Sequence, residues 1–268
     1  MTVRDSKRCT LEYVSFKDWP EAQDAPRTVL DLSGTNYCGA PQVFYFRPQK
    51  LWYLIYQVKP KVNNMMVVAC STSPDIRDPG SWSRALPLLS GGEGDSRIES
   101  GLDFWVICDG QDAHLFFTSM NGKLWHLWTE MERFPHGFRD CRIALTGPFY
   151  EASHTYKLKG QNAFLTLVEE DHRRHFKAYR AESLRGEWKP LADTEEKPFA
   201  GFHNISPGPG VPAWTDNISH GELIRDGFDE TLTVDPTNLQ VLFQGMLESE
   251  KKDLPYAFWP WRLGLLSP

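Results

Sequence analysis

From Gln42 onward the chain alternates short apolar runs with polar turns. Val43-Phe44-Tyr45-Phe46, a turn at Arg47-Pro48-Gln49-Lys50, and Leu51-Trp52-Tyr53-Leu54-Ile55-Tyr56 predict a β-hairpin. Met65-Met66-Val67-Val68-Ala69-Cys70 predicts a third strand, and Gly80-Ser81-Trp82 closes the unit. The design recurs. Phe104-Trp105-Val106-Ile107, Ala113-His114-Leu115-Phe116-Phe117 and Lys123-Leu124-Trp125-His126-Leu127 are separated by Asp-Gly and Asn-Gly turns. His154 to Leu158, Ala163 to Val168 and His175 to Arg180 form the next set, closed by Gly186-Glu187-Trp188. In the last set a polar knot, Asp216-Asn217-Ile218-Ser219-His220-Gly221, precedes two runs that read as strands, Thr231-Leu232-Thr233-Val234 and Leu239-Gln240-Val241-Leu242-Phe243.

Units of three or four short strands, returning about every 50–60 residues and often closed by a Trp, predict the blades of an all-β propeller. Four units follow residue 40. A fifth would come from residues 10–40, the least regular part, where Pro20, Pro26, Asp31 and Gly34 interrupt the pattern. The expectation is a five-bladed β-propeller with a truncated or irregular first blade, forming one domain over 1–268. Pro260 to Leu266 is expected to pair the two chain ends and so remove a sheet edge. A β-sandwich, the other architecture of many short strands, fits the Trp-closed repeat less well.

Composition narrows the function. The 268 residues carry a net charge of −6, and the pI near 5.8 comes without a basic stripe, which argues against nucleic acid. Ten Trp, 16 Phe and nine Tyr are surplus aromatics. They fill β cores, and they also stack on sugar faces in carbohydrate clefts. Cys9, Cys38, Cys70, Cys108 and Cys141 show no zinc spacing and read as mostly free, buried thiols. No apolar run is long enough for a membrane span, and the first residues lack the apolar stretch of a secretory signal.

In a propeller the chemistry sits at one end of the channel, on the innermost strands and the loops that lead into them. Polar groups at those places are Asp18 in Ser15-Phe16-Lys17-Asp18-Trp19, Asp103 in Ser100-Gly101-Leu102-Asp103-Phe104-Trp105, Glu151 in Pro148-Phe149-Tyr150-Glu151-Ala152, and His220 in the knot. Taken singly, each is better explained as a turn, cap or core-network residue. Taken together, two carboxylates across a sugar are what glycoside hydrolysis needs, one protonated and one ionised. The apolar setting of Glu151 would raise its pKa, as an acid requires, and a second carboxylate nearby would raise it further.

The wording of these stretches resembles glycoside hydrolase family 62, the α-L-arabinofuranosidases. Trp214 to Gly245 is similar to the family's W-T-N-D-I-S-H-G and T-V-D-P-x-N-L-Q-F-L-Y-Q-G segments. Phe44 to Trp52 resembles its F-Y-F-x-P-K-x-x-W hairpin, Leu102 to Asp109 its I-D-x-x-V-I-x-D, Phe149 to Ala152 its L-F-E-A, and Glu195 to Gly201 its E-S-K-P-F-A-G. The resemblance implies a five-bladed propeller and an inverting hydrolase acting on arabinofuranosyl side groups of arabinoxylan or a related plant cell-wall glycan. It implies Glu151 as general acid, Asp103 as the carboxylate that tunes it, and Asp18 as general base. Lys17, Asn217 and Tyr256 would contact substrate, and His220 would support a calcium ion that takes no part in the chemistry. It further implies secretion, and a monomer with neither nucleic acid nor membrane as partner.

Three departures bear on this. Between Asp18 and the hairpin the family has two further strands, whereas residues 19–42 fill the gap here. The Asn-Asp order of the knot is reversed as Asp216-Asn217, and Ala257 stands where members carry Asn. The rival expectations are a carbohydrate-binding propeller without turnover and a related furanosidase of different preference.

Overall fold

A computed structural model describes residues 1–4, 8–59, 66–89 and 101–268. Met65 of the expected third strand and Ser100 of the Asp103 stretch lie outside the described residues.

Five sheets, antiparallel but for one short parallel pairing in the fourth, follow one another along the chain. The first holds β1 (Thr2–Arg4), β2 (Cys9–Val14) and β3 (Arg27–Leu30), in that order. The second runs β4 (Cys38–Phe46), β5 (Leu51–Val58), β6 (Val67–Ser73), β7 (Leu86–Pro87). The third holds β8 (Leu102–Cys108), β9 (Asp112–Thr118), β10 (Lys123–Glu130) and β11 (Arg139–Thr146). The fourth holds β12 (Glu151–Leu158), β13 (Phe164–Glu170), β14 (His175–Ala181) and β15 (Lys189–Ala192), joined on the β12 side by β17 (Thr233–Val234). The fifth runs β16 (Asn217–Leu223), β18 (Val241–Met246), β19 (Arg262–Leu266). These are the blades of a five-bladed propeller. The first blade is reduced, as expected, to three short strands.

The first strand of each later blade is the inner one, and β12 packs against both β8 and β16. Apolar residues of the second to fifth blades merge into one core that includes Phe44, Ile55, Phe116, Tyr156, Phe176 and Ile218, all fully buried. A smaller cluster of Leu11, Leu30, Tyr56 and Trp82 joins the first blade to the second. Blades are also stitched by hydrogen bonds. Gln42 exchanges two with Val106, at 2.7 and 2.8 Å, and Trp105 donates to the Thr155 carbonyl at 2.8 Å.

One device recurs near the start of the inner strands. The ladder slips between Gly39 and Gln42, between Leu102 and Trp105, between Glu151 and His154, and between Ser219 and Gly221. Inside the first three slips sit Ala40, Asp103 and Ala152, with φ of 48°, 53° and 55°. Left-handed backbone at a non-glycine residue is uncommon, and a bulge re-aims the side chains around it.

Three expectations about the last unit change. The polar knot is itself the inner strand β16, because its backbone ladders with β18. Thr231 to Val234 holds the strand β17, as expected, but that strand joins the fourth sheet and not the last. It runs as part of a belt under three blades: Tyr45 N–H donates to Phe228 O, Cys108 N–H to Glu230 O, and Lys157 N–H to Leu232 O. The C-terminal strand β19 pairs with β18 and stays in its own blade, so it does not tie the chain ends together. Cys9, Cys38, Cys70 and Cys108 are buried, and no disulfide joins any of the five cysteines.

Candidate active site

Glu151 is the first residue of β12, and Asp103 the second of β8, within its bulge. The bulge lets the Asp103 carboxylate accept the Ala152 N–H at 2.7 Å, while its own N–H donates to Gln57 Oε1 at 3.0 Å. Both carboxyl-bearing residues are buried, Asp103 to 5% exposure and Glu151 to 8%. His220 on β16 comes between them. Its Nε2 is 3.4 Å from Asp103 Oδ2, and its Nδ1 is 3.9 Å from Glu151 Oε1 and 3.4 Å from Glu169 Oε2. One oxygen or nitrogen each from Asp103, Glu151 and His220 fit within 4.8 Å of one another. Three residues from three blades, separated by about 50 and 70 positions in sequence, therefore converge as expected.

Two residues that the sequence reading missed complete the cluster. Arg174, in the turn between β13 and β14, donates from Nη1 to Glu151 at 2.7 Å and to Glu169 at 2.6 Å. Glu169, fully buried on β13, also accepts from the Ser219 hydroxyl at 2.9 Å and from the His220 N–H at 2.9 Å. A carboxylate at the end of the apolar run Phe164 to Val168 was the available signal. The strand pattern alone does not say that the turn cation folds back over it.

The electrostatics separate the two carboxyls. Burial pushes Glu151 above the ordinary glutamate range; His220 and Arg174 oppose this, and the charges of Glu169 and Asp103 reinforce it. Burial acts on Asp103 in the same direction, but His220 and the Ala152 N–H outweigh it and hold the carboxyl low. Burial would also discharge His220, yet Asp103 and Glu169 win and hold it as imidazolium. One carboxyl that keeps its proton beside one that has lost it is the division of labour of acid catalysis. Their close approach, within 4.8 Å, is too short for the pair that admits a water in inversion, about 6.5–9.5 Å. That spacing does not suit Asp103 as the base of an inverting pair.

A cavity of 690 Å³ opens beside the cluster, with Asp103, His154, His220, Tyr256, Trp259 and Trp261 in its wall. That volume lies within the range of small-ligand sites. Glu151 is not in that wall; it meets it through His220. Tyr256 stands with Arg4 5.1 Å from its ring centre and Arg174 5.7 Å from it.

The structure does not bring Asp18 or Lys17 to this cluster. β2 ends at Val14, and the chain then forms an exposed loop closed on itself. Phe16 packs on Trp19 at 5.2 Å, and the Lys17 N–H donates to Glu21. Asp18 is exposed at the start of a 3-10 turn over Trp19–Gln23, makes no cap hydrogen bond, and does not line the cavity. Asn217 is fully buried, and its amide donates to Asp216 at 2.8 Å and Glu248 at 3.1 Å, which turns it toward the C-terminal loop.

Known proteins agree with this fold. The model of "Glycosyl hydrolase family 62" matches residues 2–267. Over 262 residues the chain is 42% identical to alpha-L-arabinofuranosidase C of Cellvibrio japonicus; the match covers 95% of this chain and 39% of that protein. The chain thus spans about two fifths of the length of this curated relative. The catalytic domain of a Coprinopsis cinerea GH62 alpha-L-arabinofuranosidase superposes with a TM-score of 0.89 at 39% identity, covering 99% of this chain and 84% of that one. A GH62 hydrolase solved in complex with xylotriose superposes with a TM-score of 0.88 at 35% identity, covering 100% and 86%. With its blades, its paired carboxyls and these likenesses in agreement from one end to the other, the chain belongs to glycosyl hydrolase family 62.

Proposed function

We propose that this chain is an α-L-arabinofuranosidase that removes arabinofuranosyl side groups from arabinoxylan or a related cell-wall glycan by inversion. The observation that carries this is the buried Glu151 carboxyl, pushed toward its protonated form within 4.8 Å of Asp103 and His220 at the hub. Glu151 is the acid that protonates the leaving oxygen. Asp103 keeps that proton in place by its charge. The aromatic wall of Tyr256, Trp259 and Trp261 receives the xylose backbone, and the xylotriose held by a relative supports this choice of glycan. The same proposal has the protein act as a monomer outside the cell, where such glycans are found.

The test is release of arabinose from arabinoxylan. Protonation of the leaving group contributes roughly 10²–10⁴-fold in rate, so Glu151→Gln should lower turnover by at least about 100-fold with an unchanged melting temperature. Unchanged turnover would remove Glu151 from the acid's role.

Calcium was the expected ion at His220. Calcium takes six to eight oxygen ligands. Both nitrogens of His220 already face carboxylates, and Glu151 cannot hold an ion and a proton together. These residues do not fit a resident calcium, and Arg174 and His220 supply the positive charge instead. The melting temperature should be equal in calcium and in a chelator; a rise of several degrees with calcium would place an ion there.

A second reading is favoured by the position of Asp18. Inversion needs a base across the ring. The other carboxylates in the cavity wall, Glu12 and Glu222, are paired with Arg27 at 3.4 Å and Arg225 at 2.8 Å. Binding of arabinoxylan oligosaccharides without release of arabinose would favour a sugar-binding propeller.

A further inference from the structure

His154 has no part in the chemistry above, and its surroundings are unusual for a histidine that serves only the core. It lies on β12 three residues after Glu151, beyond the bulge, and lines the cavity together with Asp103 and His220. Its ring is held on both sides. The Trp105 ring is 4.7 Å away and is itself fixed by its hydrogen bond to Thr155 O, and Phe176 lies 6.2 Å away. The residue is 7% exposed, and its Nδ1 is sealed off without any hydrogen-bond partner. Burial lowers its pKa to about 4 against the pull of Asp103, so the ring is neutral at working pH.

A neutral imidazole carries one proton on one nitrogen. Buried N–H groups without an acceptor are rarer than bare acceptors, which puts the proton on Nε2, the ring nitrogen that is not sealed off. Buried polar side chains nearly always have a partner. Here none is supplied on Nδ1, while the ring is clamped at the wall of a space sized for a sugar. A ring so placed is ready to give its one hydrogen bond to an oxygen that arrives with a ligand.

We propose that His154 reads the furanose: its Nε2–H donates to a hydroxyl of the bound arabinofuranosyl group and thereby sets preference for that sugar. This rests on the arabinofuranosidase reading for the identity of the sugar, but binding and turnover can be read separately.

The experiment compares wild type, His154→Phe and His154→Gln in calorimetric binding of methyl α-L-arabinofuranoside, with melting temperatures and hydrolysis of 4-nitrophenyl α-L-arabinofuranoside measured alongside. Phenylalanine keeps the ring against Trp105 and loses the donor; glutamine places an amide N–H near the same point. A lost hydrogen bond of ordinary strength corresponds to about tenfold in affinity. The expected result is binding about tenfold weaker in His154→Phe, seen as a rise in KM larger than the fall in kcat, with most of the loss recovered in His154→Gln. Equal binding by wild type and His154→Phe would overturn the inference, as would weakening of both variants in step with a lowered melting temperature, or no binding by wild type. Binding by wild type without hydrolysis would defeat the enzyme reading alone, and the comparison of variants would still decide the role of His154.

Discussion

Arg174 shows how a single residue can hold opposed tendencies in balance. Its guanidinium touches Glu151 and Glu169 at once, and Glu169 has no exposure to solvent. Its attraction for Glu151 lowers that carboxyl's pKa, against burial. Glu151 donates only while protonated, so activity falls as pH rises through its pKa. Arg174→Gln removes one of the lowering influences, and the descending limb of kcat/KM against pH should move to higher pH. The same change leaves Glu169 buried with less compensation, at a cost of about 3 kcal/mol or more in stability. A limb that stays in place would mean that Arg174 does not act on the acid. Glu151, Asp103 and His220 were legible in the sequence because each stands on an inner strand, in a distinctive short phrase. Arg174, Glu169 and His154 were not, because their roles depend on contacts across blades and across a bulge. Ser15 to Trp19 shows the converse: a short phrase carries no information about where its loop ends up.

At the level of elements, the hairpins from Gln42 to Arg180 follow from alternation and turn residues, and the structure has them nearly as expected. The polar knot from Asp216 to Gly221 did not yield to that pattern, since a strand with polar residues facing a site loses its alternation. β16 reads as a knot for this reason. Its bulge depends on close backbone contact at Gly221, where an added Cβ would lie 2.0 Å from Leu242 O and 2.9 Å from the Phe243 Cα. Both are backbone atoms that cannot rotate away. Gly221→Ala should therefore destabilise the fold by about 3 kcal/mol, read as a drop in melting temperature, and should displace His220 with a matching loss of activity. A stable, fully active Gly221→Ala protein would show that the bulge does not position the histidine. The belt of residues 228–234 escaped the sequence for another reason: its partners lie in three different blades.

For the whole molecule, the blade count and the aromatic packing carry the fold, and family wording and geometry point to the same hub. The first blade, the least regular part of the sequence, has three short strands and adjoins the 690 Å³ cavity through Thr2, Val3, Leu11 and Tyr13. The positive Arg174 and His220 and the carboxyls of Asp103, Glu151 and Glu169 come from the third, fourth and fifth blades, so the acid's environment is built without the first.

The measurement closest to this account is a titration of the side-chain carboxyls of Glu151 and Asp103 by carbon-13 NMR, each resonance assigned with the corresponding amide variant. An ordinary glutamate titrates near pH 4.3. Glu151 should titrate above that value, with Asp103 ionised throughout and titrating below the usual aspartate range. A Glu151 carboxyl that loses its proton at or below the ordinary value, or before Asp103 does, would contradict the assignment of acid and tuning carboxylate.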